Sequence, residues 1–292
     1  MRISTLDVPG ASLYYEVRGA GPVLLLICGG VYDAAAYAPL ANQLSDAYTV
    51  VTYDRRGNSR SRIDGPPRPQ QIETHAEDAA RVLWEVGVDA ARPAYVFGNS
   101  SGATIAVALA SRHPDLVRAV VAHEPPLFSL LPDRDRLYEL LDRVEASFAT
   151  QGAEAAMAEF SAGLAGGQEA AGADQSERMP GGDEVPPGEP PPEVAEMMAR
   201  MSANLPFFIG YEVPSFSRYE PDLDAVAGTD VVVVPAAGVD SVGEPPHRGA
   251  LALAERLGVP AVQFPGDHGG FGTDPAAFAQ AIRAELGKPP EP

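Results

Sequence analysis

The feature that most constrains this chain is a set of short apolar runs with no polar residue between their members. Val23-Leu24-Leu25-Leu26-Ile27 is the clearest of them. A strand with one wet face alternates apolar and polar residues. A run without alternation is buried on both faces, as in a parallel sheet covered by helices on each side. Residues 12–17, 23–27, 48–53, 94–97, 118–122, 231–234 and 261–264 are predicted as strands. Helical periodicity falls between them, over 73–86, 104–112, 247–257 and 275–286. This alternation predicts a layered α/β fold, a mostly parallel sheet flanked by helices.

The rhythm breaks once. Between residues 125 and 224 no central strand is predicted. Residues 137–160 and 193–204 carry helical spacing, and the aromatic stretch Phe207, Phe208, Tyr211, Phe216 and Tyr219 follows. Residues 163–192 are dense in Gly, Pro and acids, a composition that buries too little apolar surface to order itself. We read 125–224 as an inserted, mainly helical cap with a mobile loop near 163–192. Residues 1–124 and 225–292 then form the core. The aromatic stretch is read as packing inside the cap more than as pocket lining.

Bulk properties narrow the function. The 292 residues, 45% of them hydrophobic, suit one large domain or a domain with an insertion. A net charge of −19 repels phosphate backbones and anionic membranes, so neither nucleic acid nor membrane is expected as a partner. A small-molecule substrate is expected instead. The lone cysteine, Cys28, permits no intramolecular disulfide, and the first residues lack the regions of a signal peptide. A soluble cytoplasmic protein is expected, with no metal and no organic cofactor.

Chemistry concentrates in Gly98-Asn99-Ser100-Ser101-Gly102, between a predicted strand and a predicted helix. G-x-S-x-G in that setting is a nucleophile elbow. The serine occupies a strained turn, and glycines two residues away on either side let neighbouring backbone approach. The turn lifts the Ser100 hydroxyl above the sheet and aims the first helical N–H groups at the same spot. Ser101 N–H is the natural first oxyanion donor. A second is expected from Cys28-Gly29-Gly30-Val31, with Gly29 and Gly30 as the candidates. Cys28 itself is read as a small buried residue. His268, in Pro265-Gly266-Asp267-His268-Gly269-Gly270, follows the last predicted strand and is the expected base. His75, His113 and His247 are read as structural.

Tyr53-Asp54-Arg55-Arg56-Gly57-Asn58-Ser59-Arg60-Ser61 resembles the D-x-R-G-x-G-x-S segment of α/β hydrolases. With the elbow, the glycine pair and the histidine loop, the resemblance covers nearly all of the chain outside the cap. It implies the α/β-hydrolase fold and a serine hydrolase. A serine at the elbow, where epoxide- and halide-cleaving relatives carry Asp, implies acyl chemistry.

Two residues compete to orient His268. Most relatives place the acid after the strand that here is 231–234, where Asp240 is available, although the usual G-x-x-D spacing falls on Ser241. The rival is Glu124, at the end of the strand after the nucleophile helix. Gly98-x-Ser100-Ser101-Gly102-Ala103 and His123-Glu124-x-Pro126 are similar to the elbow and acid segments of zearalenone-hydrolysing lactonases. Pro125 and Pro126 also force the chain out of the sheet just after Glu124. Glu124 is therefore favoured, with Asp240 as the alternative. The resulting expectation is cleavage of an ester or lactone of a small apolar molecule through Ser100, His268 and Glu124 and an acyl-enzyme. A carbon–carbon bond hydrolase, an acyl transferase and a non-catalytic ligand-binding protein remain the alternatives.

Overall fold

The computed structural model describes residues 1–165 and 191–287. Most of the stretch expected to be a mobile loop near 163–192 lies outside the described residues. In chain order the elements are β1 (Arg2–Val8), β2 (Ala11–Arg18), β3 (Val23–Ile27), α1 (Ala38–Leu44), β4 (Thr49–Tyr53) and β5 (Arg62–Ile63). Then come α2 (Ile72–Glu85), β6 (Ala94–Asn99), α3 (Ser101–Arg112) and β7 (Val117–His123). Next are α4 (Arg134–Gln151), α5 (Ala153–Ala165) and α6 (Pro192–Phe207), a π-helical turn Phe208–Glu212, α7 (Val213–Ser217) and α8 (Leu223–Ala227). The chain closes with β8 (Val232–Gly238), α9 (Pro245–Leu257), β9 (Val262–Phe264), α10 (Gly270–Thr273) and α11 (Pro275–Leu286).

The strands form one sheet in the order β1-β2-β4-β3-β6-β7-β8-β9, with β5 beside β2. Pairing from β4 to β9 is parallel throughout, and β1, β2 and β5 are antiparallel. Two-sided burial accounts for the unbroken apolar runs. Leu25 and Ile27 face a core built with α2 and α3. Leu24 and Leu26 face the other way, toward α1 and α11. β6 is buried along its whole length. The helices between β7 and β8 gather a third cluster around Phe128, Leu137, Leu140, Leu141, Ile209 and Val213.

Sequence pattern missed several elements, the strands β1 and β5 and the short helices α1, α8 and α10 among them. β1 is an edge strand whose residues are mostly exposed, so it carries little apolar signal. β5 is two residues long, and α1 only seven. The single helix expected over 137–160 is two, because the chain breaks at Gly152 with φ of 90°. The aromatic stretch is helical and includes the π turn. Among the described residues no helix is long and apolar enough to cross a membrane.

Phe278 of α11 is fully buried and packs against Phe97, Phe264, Phe271 and His123. It joins the last helix to the central strands beneath the carboxyl edge. Phe278→Ala is expected to cost about 3–5 kcal/mol, the usual range for a buried phenylalanine, read from urea unfolding followed by circular dichroism.

Candidate active site

β6 and β7 run parallel and end side by side, Asn99 paired with His123. The next residue on each strand is Ser100 and Glu124. Both leave the sheet through left-handed backbone, with φ of 56° at Ser100 and 50° at Glu124. Such a conformation costs a non-glycine residue of the order of 1 kcal/mol or more, and the surroundings must enforce it. Ser100 N–H donates to His123 O (2.8 Å) and Glu124 N–H to Ala236 O (2.9 Å), so adjacent strands hold both turns.

Steric demand at the elbow explains its glycines. A Cβ on Gly98 would lie 2.3 Å from Gly102 O, and one on Gly102 would lie 2.1 Å from Ile27 O. Strand, helix and the end of β3 meet closer than any side chain allows. Ser100 then caps α3 from a position no helix or strand residue occupies, with ψ of −127°.

His268 stands on the loop after β9. Its Nδ1 lies 2.6 Å from Glu124 Oε2. The other carboxylate oxygen, Oε1, accepts from Gly238 N–H (2.8 Å) and from the Ser241 hydroxyl. The Glu124 side chain is fully buried, whereas that of His268 is 34% exposed. Burial pushes the Glu124 carboxyl up. The hydrogen bond and charge of His268, aided by the Ser241 hydroxyl, outweigh it and hold the pKa at about 2. Asp240 is exposed, and its backbone N–H bonds Gly266 O. The structure therefore brings Glu124 to His268 and leaves Asp240 at the surface. Ser241, at the position the usual spacing would give an acid, bonds the carboxylate that arrives from β7.

Two supporting residues escaped sequence reasoning. Asn99, inside the elbow, donates from Nδ2 to His123 Nδ1 (2.9 Å) and to His268 O (3.1 Å). It thus ties the turn bearing Ser100 to the loop bearing His268. Burial lowers the His123 pKa to about 3, so its ring is neutral. With Nδ1 accepting, the proton sits on Nε2 among the rings of Phe97, Phe264 and Phe278. Ser241 is the other. Its spacing from Gly238 was legible, but not its role. Cys28 is fully buried, and burial pushes its thiol well up, so it stays protonated.

Ser100, Ser101, His268, Asn99 and Gly30 line one cavity of about 490 Å³. Gly30 N–H donates to Ser101 Oγ (3.1 Å), tying the loop after β3 to the elbow. Gly29 sits behind it, so close that a Cβ there would fall 2.4 Å from Asn99 O. The opposite wall is apolar, with Met157, Phe160 and Leu164 from α5, Met201 and Leu205 from α6, and Phe208, Val213 and Phe216 beyond. Phe208 and Phe216 of the aromatic stretch thus line the cavity. No Lys or Arg is among the described lining residues. No group of three or more His, Cys, Asp or Glu suited to a metal occurs among the described residues.

This fold and this arrangement define a class, and sequence comparison agrees with it. A family model described as alpha/beta hydrolase fold matches residues 22–216, and the chain belongs to that family. It is 35% identical to the uncharacterized hydrolase YraK of Bacillus subtilis, over 97% of this chain and 96% of that protein. It is 33% identical to the 2-(acetamidomethylene)succinate hydrolase of Mesorhizobium japonicum, over 40% of each. In structure it is similar to a thermophilic esterase from Thermogutta terrifontis. The TM-score is 0.69 at 21% identity, covering 98% of this chain and 97% of that one.

Acid should loosen this edge in two stages. His123 stays neutral when folded down to about pH 3 but takes a proton near 6.5 when unfolded. Its contribution is lost as pH falls from 6.5 toward 3. Glu124 has a depressed folded pKa of about 2 against 4.5 unfolded, so its contribution is lost between those values as pH falls. Melting temperature should therefore decline on acidification from pH 6.5. The upper part of that decline should become shallower in His123→Phe, with the remainder carried by His75, which burial also holds well below 6.5, and the part below 4.5 should become shallower in Glu124→Gln.

Proposed function

We propose that the protein is a serine hydrolase that cleaves a carboxylic ester or lactone of a small, uncharged, largely apolar molecule. The observation that carries this reading is the hydrogen bond from His268 to the buried Glu124 carboxylate beside an elbow serine, with Ser100 and His268 on the wall of the same largely apolar cavity. With Nδ1–H directed to Glu124, the lone pair of His268 Nε2 is free to take the Ser100 proton. Ser100 Oγ then attacks the acyl carbonyl. The carbonyl oxygen becomes an oxyanion, held by Ser101 N–H and by Val31 N–H of the loop after β3, because Gly30 N–H is already given to Ser101 Oγ and Gly29 is not on the cavity wall. Collapse expels the alcohol, which receives its proton from His268. Water, deprotonated by His268, attacks the acyl-enzyme, and the carboxylic acid leaves with Ser100 restored. Throughout, Glu124 balances the imidazolium charge.

The cavity wall supports the substrate class. A dicarboxylate such as a succinate would need cationic partners, which the described lining lacks. The substrate named for the Mesorhizobium relative is therefore not carried over. The likeness of the elbow and acid segments to zearalenone-hydrolysing lactonases favours esters and lactones. The helices between β7 and β8 act, in this reading, as a cap that keeps the acyl group out of water. The other enzyme readings use the same residues and differ in the bond broken or in the acceptor.

A panel of neutral aryl esters, lactones and a hemisuccinate ester tests the reading. Neutral substrates should turn over and the anionic one should not. Ser100→Ala should abolish turnover and labelling by a fluorophosphonate while leaving the melting temperature nearly unchanged. Absence of labelling in the wild type would sink the enzyme reading in favour of a ligand-binding protein.

Glu124→Ala should lower kcat by about two to four orders of magnitude, since the imidazolium loses its counter-charge. Asp240→Ala should stay within about 0.5 kcal/mol in stability, as surface changes do, with kcat unaltered. Steady-state kinetics on the best ester of the panel decides. An Asp240 effect equal to that of Glu124 would overturn the assignment of the acid.

A further inference from the structure

The loop after β3, residues 28–33, packs beside Ser100 at the edge of the cavity, and it is held in place from outside the sheet. Asn204 of α6, almost fully buried, donates from Nδ2 to Val31 O (2.9 Å) and to Ser59 Oγ (2.9 Å). Its Oδ1 accepts from Ser59 N–H (2.6 Å). One turn earlier on the same helix, Arg200 Nε donates to Asp33 Oδ2 (2.7 Å). Glu212, at the end of the π turn, is fully buried against Arg55, with Oε2 2.6 Å from a guanidinium nitrogen. Its Oε1 accepts from Asn58 Nδ2 (2.9 Å). Arg55 in turn donates to Cys28 O (2.6 Å) and to Gly30 O (2.8 Å). Three successive points of the loop backbone are thus gripped by the segment 192–217 or by an arginine that this segment neutralises.

Peptide geometry turns this grip into an aim. In a trans peptide the C=O and the N–H point in opposite directions in one plane. The guanidinium that fixes Gly30 O therefore directs Val31 N–H away from Arg55, and Val31 lines the cavity. Fixing Cys28 O anchors the base of the loop, at Gly29, behind the cavity wall. Arg55 cannot hold this position alone. A guanidinium with no exposed surface needs a counter-charge, and Glu212 is the carboxylate bonded to it.

We propose that Glu212, Arg55 and Asn204 are positioning residues. Through them the segment 192–217 sets the peptide planes of loop 28–33, so that Val31 N–H is aimed at the reacting carbonyl only when that segment is seated on the core. The kinetic part of this proposal rests on the serine-hydrolase reading, and its structural part does not.

The test compares Glu212→Gln and Asn204→Ala with Asp78→Asn. Asp78 belongs to a second, nearly buried pair, two bonds of 2.6 Å to Arg56, that does not reach the loop. Asn204→Ala leaves both buried ion pairs intact and serves if Glu212→Gln does not fold. Amide hydrogen exchange of residues 29–36 should quicken about tenfold in the first two variants and stay at the wild-type rate in Asp78→Asn. On an aryl ester, well below every melting temperature, kcat should fall about ten- to a hundredfold with KM within about threefold, as misplacement of a reacting geometry implies. Asp78→Asn should lower the melting temperature and leave kcat unchanged. Unchanged loop exchange in both variants, equal effects from Asp78→Asn, or quickened exchange with wild-type kcat would each overturn the proposal. If the wild type cleaves no ester, the serine-hydrolase reading fails and the exchange data alone decide whether the segment sets the loop.

Discussion

A carboxylate with no exposed surface must be surrounded by donors, and the carboxyl edge of this sheet is arranged to surround Glu124. Gly238 N–H, the Ser241 hydroxyl and His268 Nδ1 supply them. Each comes from a different part of the chain. β8 has to end beside β7 to bring Gly238, its turn has to close to bring Ser241, and the loop after β9 has to fold over to bring His268. Desolvation makes this demand strict, because a buried charge left unpaired costs several kcal/mol. The same demand explains why Glu124 accepts a left-handed backbone at the point where two prolines end the strand.

Asn99 extends the arrangement to Ser100. Its amide bonds both the histidine loop and His123, the residue before Glu124. The turn bearing Ser100, the strand end bearing Glu124 and the loop bearing His268 are thereby coupled through one side chain. His123 is well suited to this as a neutral acceptor, since its burial among three phenylalanines keeps a second proton off the ring.

A different balance governs the cavity. The chain carries a net charge of −19, yet the described cavity wall is mainly aliphatic, aromatic and hydroxylic. Two charged groups at the loop after β3 are paired, Arg55 with Glu212 and Asp33 with Arg200. Behind the wall Arg55 bonds loop carbonyls while its charge is met by Glu212, and Glu244 is the acid among the described lining residues. Glu212 was visible as the one acid in the aromatic stretch between Phe207 and Phe216. An acid in such a setting calls for a partner, but nothing local says which.

The sequence by itself determined the layered α/β order and the elbow. Both are short-range: two-sided burial writes unbroken apolar runs, and close approach of strand, helix and loop admits only glycine at residues 98 and 102. Edge strand β1 escaped because a mostly exposed strand carries no apolar run. The tertiary structure alone decided which carboxylate meets His268, since Glu124 and Asp240 were both compatible with the pattern. It also revealed Asn99, Ser241 and the Arg55–Glu212 pair as supports. These contacts join residues far apart in the chain, 144 positions for Glu124 and His268 and 157 for Arg55 and Glu212. Local preference cannot encode a contact at that separation. Only the packing of β7, β8 and the intervening helices brings the partners within a hydrogen bond, and burial then makes the pairing obligatory.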